Sequence, residues 1–320
     1  MNTVLVAGGC GLIGQHVCSG LLKKGNTVIA VDSQHNDYNT GKENYRFVEA
    51  SPEDNTKYAE VFKKYHIDML INLACTVDND FGNIITETEM NISRNFDEFI
   101  YKLAFEAKVK KIIMISTSQV YKLVDSREPI REDDVLKPVS NYAVMKLESE
   151  KAFDEELREH KGAICCICRV APVYTKNYYE NLVTKITDPK DNTNFVYGTG
   201  QYGFQFCCVH NLVDFILCFV KNADEPKFTG IYNISDKNLT TASDIITYMK
   251  TNHRLGPVIQ KSSIKSSGIS NLIRKVSKNK EEKENYRYLD WSTFLYNNML
   301  DNNKALNLMS SFRWDIHNTK

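Results

Sequence analysis

The sequence lacks a net charge: Lys plus Arg equals Asp plus Glu, at 40 each. A chain with no field of one sign has no electrostatic hold on nucleic acid or an anionic membrane, and neither is expected as a partner. No apolar run approaches the roughly 20 residues that span a bilayer. The first residues carry one short apolar run broken by glycines, with no basic leader or cleavage signal, so a secretory peptide is not expected. Internal repeats are missing as well. Metal-ligand spacing is incomplete: Cys165 and Cys168 form a CxxC, but no second pair or nearby histidine completes a site. The nine cysteines fall mostly in apolar stretches such as GAICCICRV and FQFCCVHNL, the setting of reduced thiols in buried strands, and a cytoplasmic protein is expected.

What the chain does have is alternation. TVLVAG, TVIAVD, YRFVEA, DMLINLA, KIIMIST and AICCICRV read as strands, with helical patterns between most of them. In NFDEFIYKLAFEAKV, the residues Phe96, Phe99, Ile100, Leu103 and Ala107 fall on one helical face. Near-continuous apolar strands joined by helices indicate a parallel sheet covered on both sides, a doubly wound α/β fold. After Val173 the rhythm breaks into loops rich in Asn, Asp, Gly and Pro, and a smaller α+β region is expected there. Residues 261–287, rich in Lys, Ser and Asn, read as a solvated loop and exposed helix.

Close to the start stands VLVAGGCGLIGQHV, with Gly9, Gly11 and Gly14 in a GxGxxG array between a strand and an apolar helical run. Such a loop is either a nucleotide cradle or a tight strand-to-helix turn. The discriminating residue is an acid closing the second strand. Asp32 in VIAVDSQ lies 18 residues beyond Gly14, near the expected interval of about 20, and no arginine follows in SQHND. A carboxylate there accepts the adenosine ribose hydroxyls and repels a 2′-phosphate, which favours NAD over NADP. In NYAVMKLESEKAF, Tyr142 and Lys146 share a helical face, a spacing also common on exposed helices. Beside a nicotinamide, a nearby ammonium favours the phenolate and makes Tyr142 a usable base. A hydroxyl to hold the reacting oxygen is offered at a strand end by Thr117 or Ser118 in KIIMISTSQVYK.

With those residues in view the chain resembles the extended short-chain dehydrogenases, in their NAD-dependent nucleotide-sugar epimerase/dehydratase branch. The family's GxxGxxG falls on Gly8, Gly11 and Gly14, its YxxxK on Tyr142 and Lys146, and its strand hydroxyl on Thr117. INLAC matches the strand-four segment and brings Leu73, Ala74 and Cys75 to the cofactor, together with Leu12 and Ile13 of the glycine loop. NISRNF resembles the helix start that supplies Asn91, although Arg94 and Asn95 replace small residues. RVAPVY, YGTGQ, VHNLVDFI and YNISDKNLTTASDI match further segments in order, and YRYLD resembles the RxxD element, offering Arg287 to a substrate pyrophosphate.

The resemblance implies a Rossmann domain over residues 1–173 plus about 207–235, and a substrate-binding region over 174–206 and 236–320. It implies NAD as cofactor, a nucleotide sugar as substrate and a possible homodimer. Thr117, Ser118, Gln119, Tyr142 and Arg287 are the expected substrate contacts. Departures are also plain. Ala7 replaces a threonine, Ser51 an adenine-contacting aspartate and Pro172 an asparagine, while the usual arginine is missing near Phe204 and Gln205. These lost polar contacts stand against a standard UDP-galactose epimerase. Gln119 stands where dehydratases and decarboxylating members carry an acid, and an amide cannot shuttle the proton that elimination requires. An NAD-dependent epimerase is therefore expected, with a net dehydrogenase or reductase, or a non-catalytic NAD-binding protein, as alternatives.

Overall fold

The computed structural model describes residues 1–75, 85–122, 128–188, 191–222, 224–261 and 299–319. Arg287 and most of the Lys/Ser-rich stretch expected to be a solvated loop lie outside them.

The six strands expected from sequence form as β1 (Thr3–Ala7), β2 (Thr27–Asp32), β3 (Tyr45–Glu49), β4 (Met69–Asn72), β5 (Lys111–Thr117) and β6 (Ile164–Val170). A further strand, Gly230–Ile234, returns to pair with β6. The seven lie in the order Gly230–Ile234, β6, β5, β4, β1, β2, β3, every pair parallel. Chain order reverses at β1, which has β2 on one side and β4 on the other; the crevice beyond their carboxyl ends is where open α/β sheets bind ligands.

Successive residues of a strand face opposite sides, so each strand feeds two cores. Val4 and Val6 pack on one side with α1 (Leu12–Lys23) and the Val209–Asn222 helix; Leu5 and Ala7 pack on the other with α2 (Asn55–Lys64), α3 (Glu87–Glu106) and α4 (Asn141–Glu159). The same alternation separates the CxxC: Cys165 belongs to one core and Cys168 to the other.

The buried stripe of α3 is rotated from the expected face. Phe96 and Ile100 are buried, but so are Asp97, Tyr101, Ala104 and Phe105, while Phe99 and Leu103 are half-buried and Ala107 is exposed. The reason is polar: Asp97 and Tyr101 both bond the side chain of Asn72, so an acid takes an inward position that hydropathy assigns to solvent.

After Val173 the chain builds a smaller lobe of two- to four-residue strands, pairing Val173–Tyr174 with Cys207–Cys208, Gly203–Phe204 with Thr240–Thr241, and Asn194–Tyr197 with Val258–Lys261. Its separate core includes Leu182, Ile186, Phe204, Phe206 and Ile245. Among the described residues no helix is long and apolar enough to cross a membrane.

Candidate active site

The glycine loop joins β1 to α1 at the crevice. Gly8 has φ of +75°, and a Cβ on it would approach the Leu73 carbonyl carbon and the Ala74 nitrogen to 2.9 Å. It thus lets the ends of β1 and β4 close on each other. A Cβ on Gly14 would lie 2.0 Å from the Gly8 carbonyl oxygen, so only glycine lets α1 start this close to the strand. The glycine array facing the cleft is Gly8, Gly11 and Gly14; at Gly9 the space for a Cβ is taken by Ala30. No side chain caps α1 and its first turn holds no acid, which leaves a helix N-terminus suited to an anion.

A cavity of about 490 Å³ runs from this loop across the sheet ends. At one end stands Asp32, whose Oδ2 accepts the Cys10 N–H at 2.9 Å and whose Oδ1 accepts the Gln34 N–H at 3.2 Å. An ionised carboxylate has about four acceptor positions, so capacity remains for ribose hydroxyls. The cavity continues past Leu12, Ile13, Leu73, Ala74 and Cys75 to Thr117, Gln119, Tyr142 and Lys146. Residues expected from five separate segments thus line one cavity.

Thr117 is the last residue of β5 and is 5% exposed; its Oγ1 accepts the Gln119 N–H at 3.3 Å. The strand ends there, and residues 118–120 form a 3₁₀ turn, so Gln119 reaches the cavity from a turn and Ser118 does not line it. Ser140 caps α4 by accepting the Ala143 N–H at 3.1 Å, and its own hydroxyl donates to Gln119 Oε1 at 3.3 Å. One turn in, Tyr142 and Lys146 face the cavity together. Lys146 is buried, and its Nζ donates to the Ile115 carbonyl at 3.0 Å. Burial works against the ammonium, but Cys75, Tyr142 and Asp97 outweigh it and hold the Lys146 pKa above the ordinary lysine value.

Three expectations need correction or fall outside the description. Asn91 is exposed on α3, where its Oδ1 accepts from Arg94 at 2.6 Å, and it does not line the cavity. The buried side of α3 begins two residues on, at Ser93, so the helix turns Asn91 outward. Ser118 is carried away by the 3₁₀ turn. Arg287 lies outside the described residues. Of the departures, Pro172 lines the cavity, whereas Gln205 is committed elsewhere, donating to the Asp236 carbonyl at 2.9 Å and accepting the Leu300 N–H at 3.3 Å.

Sequence reasoning missed Ser116, Tyr58, Tyr178 and Asn181 on the cavity wall. Ser116 was one step from the Thr117 it flanks. Tyr58 sits on α2 within an ordinary amphipathic pattern, and Asn181, whose Nδ2 donates to the Val173 carbonyl at 2.7 Å, sits in a loop-rich stretch with no local signal.

A glycine cradle, an acid closing the second strand and a YxxxK helix around one cleft define a dinucleotide-binding α/β chain. The chain belongs to the NAD dependent epimerase/dehydratase family, which it matches over residues 4–235. It is 26% identical over 274 residues to the dTDP-D-glucose 4,6-dehydratase of Dictyostelium discoideum, a match covering 77% of this chain and 62% of that protein. It is 30% identical over 152 residues to the UDP-glucose 4-epimerase of Halalkalibacterium halodurans, covering 47% of this chain and 45% of that one. The chain thus spans less than two thirds of the length of these relatives. In fold it is similar to the UDP-glucose 4-epimerase of Thermotoga maritima solved with UDP-glucose, with a TM-score of 0.68 at 21% identity over 95% of this chain and 91% of that one. NAD is the family's cofactor, and the close-packed glycine loop, the uncapped α1 and the spare acceptors of Asp32 fit it.

Proposed function

We propose that this protein is an NAD-dependent nucleotide-sugar epimerase that works by transient oxidation of a sugar hydroxyl. The observation that carries the reading is that Thr117, Tyr142 and Lys146 line the same cavity as the glycine loop and Asp32. Gly8, Gly11, Gly14 and the α1 N-terminus would hold the pyrophosphate, Asp32 the adenosine ribose, and Leu73, Ala74 and Cys75 the nicotinamide end. NAD, when bound, accepts hydride from a sugar carbon and can return it.

The rest is work for the chain's own side chains. Thr117, fixed at a strand end, holds the reacting hydroxyl oxygen. Tyr142 takes the proton from that hydroxyl and gives it back, and the Lys146 ammonium beside it favours the phenolate. Gln119 reaches the same wall with an amide, which holds a hydrogen bond but neither delivers nor removes a proton. That favours inversion of a hydroxyl over loss of water. Pro172 on the wall and the internal commitment of Gln205 favour a sugar or nucleotide read by fewer polar contacts than usual.

Incubation with a panel of UDP-, dTDP-, GDP- and CDP-sugars, followed by product mass and proton spectra, tests the proposal. An isomer of unchanged mass, with no net NADH, is expected. A product lighter by one water overturns it in favour of a dehydratase, and stoichiometric NADH overturns it in favour of a dehydrogenase.

A further inference from the structure

Behind the Lys146 wall lies a carboxylate that the reaction above does not use. Asp97, on α3, is 3% exposed. Its Oδ1 accepts from Asn72 Nδ2 at 2.7 Å, and its Oδ2 meets the Ser149 hydroxyl. Asn72 closes β4, and its amide orientation is fixed: Oδ1 accepts the Ala74 N–H at 3.2 Å while Nδ2 also donates to Tyr101 Oη at 2.9 Å. The amide can therefore only donate to Asp97. Ser149 sits one turn beyond Lys146 on α4. One buried acid thus touches both structures that form the inner end of the cavity, the β4 exit leading to Leu73–Cys75 and the helix carrying Tyr142 and Lys146.

A buried ammonium needs compensation, and Asp97, held to the same helix through Ser149, adds a carboxylate to the Cys75 and Tyr142 groups that favour the Lys146 charge. Burial pushes the Asp97 carboxyl up, while Lys146, Ser149 and Asn72 oppose that rise and favour the anion. When ionised, Asp97 offsets part of the Lys146 charge at the inner end of the cavity. Without the anion that offset is lost, and the Lys146 ammonium bears more strongly on the space a nicotinamide ring would take, a ring that is cationic when oxidised and neutral when reduced.

We infer that Asp97 is a positioning residue which, through Lys146, sets how strongly the cleft prefers oxidised over reduced cofactor. The inference rests on the proposed placement of the nicotinamide at the Tyr142–Lys146 end. It goes beyond a packing role, because an acid that merely pinned α3 to α4 and β4 would affect both forms of the cofactor alike.

The test compares dissociation constants of NAD⁺ and NADH, by calorimetry and by NADH fluorescence, for the wild-type chain, Asp97→Asn and Ser149→Ala. Asparagine keeps the shape and can still bond Asn72 and Ser149. Asp97→Asn is expected to weaken NAD⁺ relative to NADH by about three- to tenfold, well below the effect of a unit charge in direct contact at an effective dielectric of about 20. Ser149→Ala removes a donor to the anion and, as alanine in a helix, is readily accommodated. It should move the ratio the same way by a smaller factor, and it decides the matter if Asp97→Asn does not fold. A ratio within twofold of wild type in every folded variant overturns the inference. Failure of the wild-type chain to bind either form overturns the cofactor placement instead.

Discussion

The Arg169 guanidinium closes on both oxygens of Glu150, with Nε at 3.0 and 3.2 Å and Nη2 at 2.7 Å, in a pair whose side chains are 3% and 6% exposed. Glu150 Oε1 also accepts from Ser116 Oγ at 2.5 Å, which ties α4 to β5 one residue before Thr117. Removing one partner leaves a buried charge uncompensated. Arg169→Leu should cost about 3–5 kcal/mol of stability. Chemical denaturation followed by circular dichroism measures it; a loss under about 1 kcal/mol would mean that water reaches Glu150 freely.

Gly14 packs against the Gly8 carbonyl with no room for a Cβ. Gly14→Ala therefore has to push α1 away from β1, at about 1–3 kcal/mol for an overpacked contact, and disturbs the anion site. NAD affinity should fall at least tenfold. Calorimetry on the folded variant gives the answer, and unchanged affinity would place the pyrophosphate elsewhere.

Asp32 receives two backbone N–H groups of its own chain and still faces the cavity. The protein should bind NAD(H) more tightly than NADP(H). Asp32→Ala should narrow that gap, by weakening NAD and by lifting repulsion of the 2′-phosphate. Equal affinities for the two cofactors in the wild-type chain would remove this role of Asp32.

Tyr142→Phe deletes one hydroxyl and leaves the ring on its helix. Turnover should fall by about 10²–10⁴, the usual worth of general acid–base help, with NAD binding largely kept. Turnover at the wild-type rate would reduce Tyr142 to a structural residue.

Asp236 joins the two lobes: Tyr174 Oη, the Cys208 N–H and Asn211 Nδ2 donate to its carboxylate at 2.8, 2.7 and 2.8 Å. Burial nonetheless raises its pKa to about 7. The folded state then binds this proton more tightly than the unfolded chain does, where an aspartate titrates near 4. The contribution is complete below about pH 4 and is lost as pH rises to about 7, at most about 4 kcal/mol by linkage. Asp236→Asn should flatten that slope. Melting temperatures of both proteins across pH 4–8 test it, and parallel curves would assign the slope to other groups.

Local pattern was enough for six of the seven sheet strands and for most of the residues that stand at their ends; Gly230–Ile234 joined the sheet only through tertiary pairing with β6. Apolar β-branched runs, a glycine array and an acid at a strand terminus are written in consecutive residues, and strand and helix periods place them without knowledge of their neighbours. For the same reason Asp32, Tyr142 and Lys146 could be picked out before the cavity they line was visible, while local pattern left the hydroxyl between Thr117 and Ser118 and the family resemblance chose Thr117. Packing alone decided the rest. Asp97 faces inward because Asn72, 25 residues earlier, and Ser149, 52 residues later, supply its hydrogen bonds. Gln119 reaches the cavity because β5 ends two residues before it. Tyr58, Tyr178 and Asn181 join the cavity wall from α2 and the smaller lobe. A buried polar group is stable only where distant segments bring it partners, and those partners are set by how the chain folds back on itself rather than by the residues beside it.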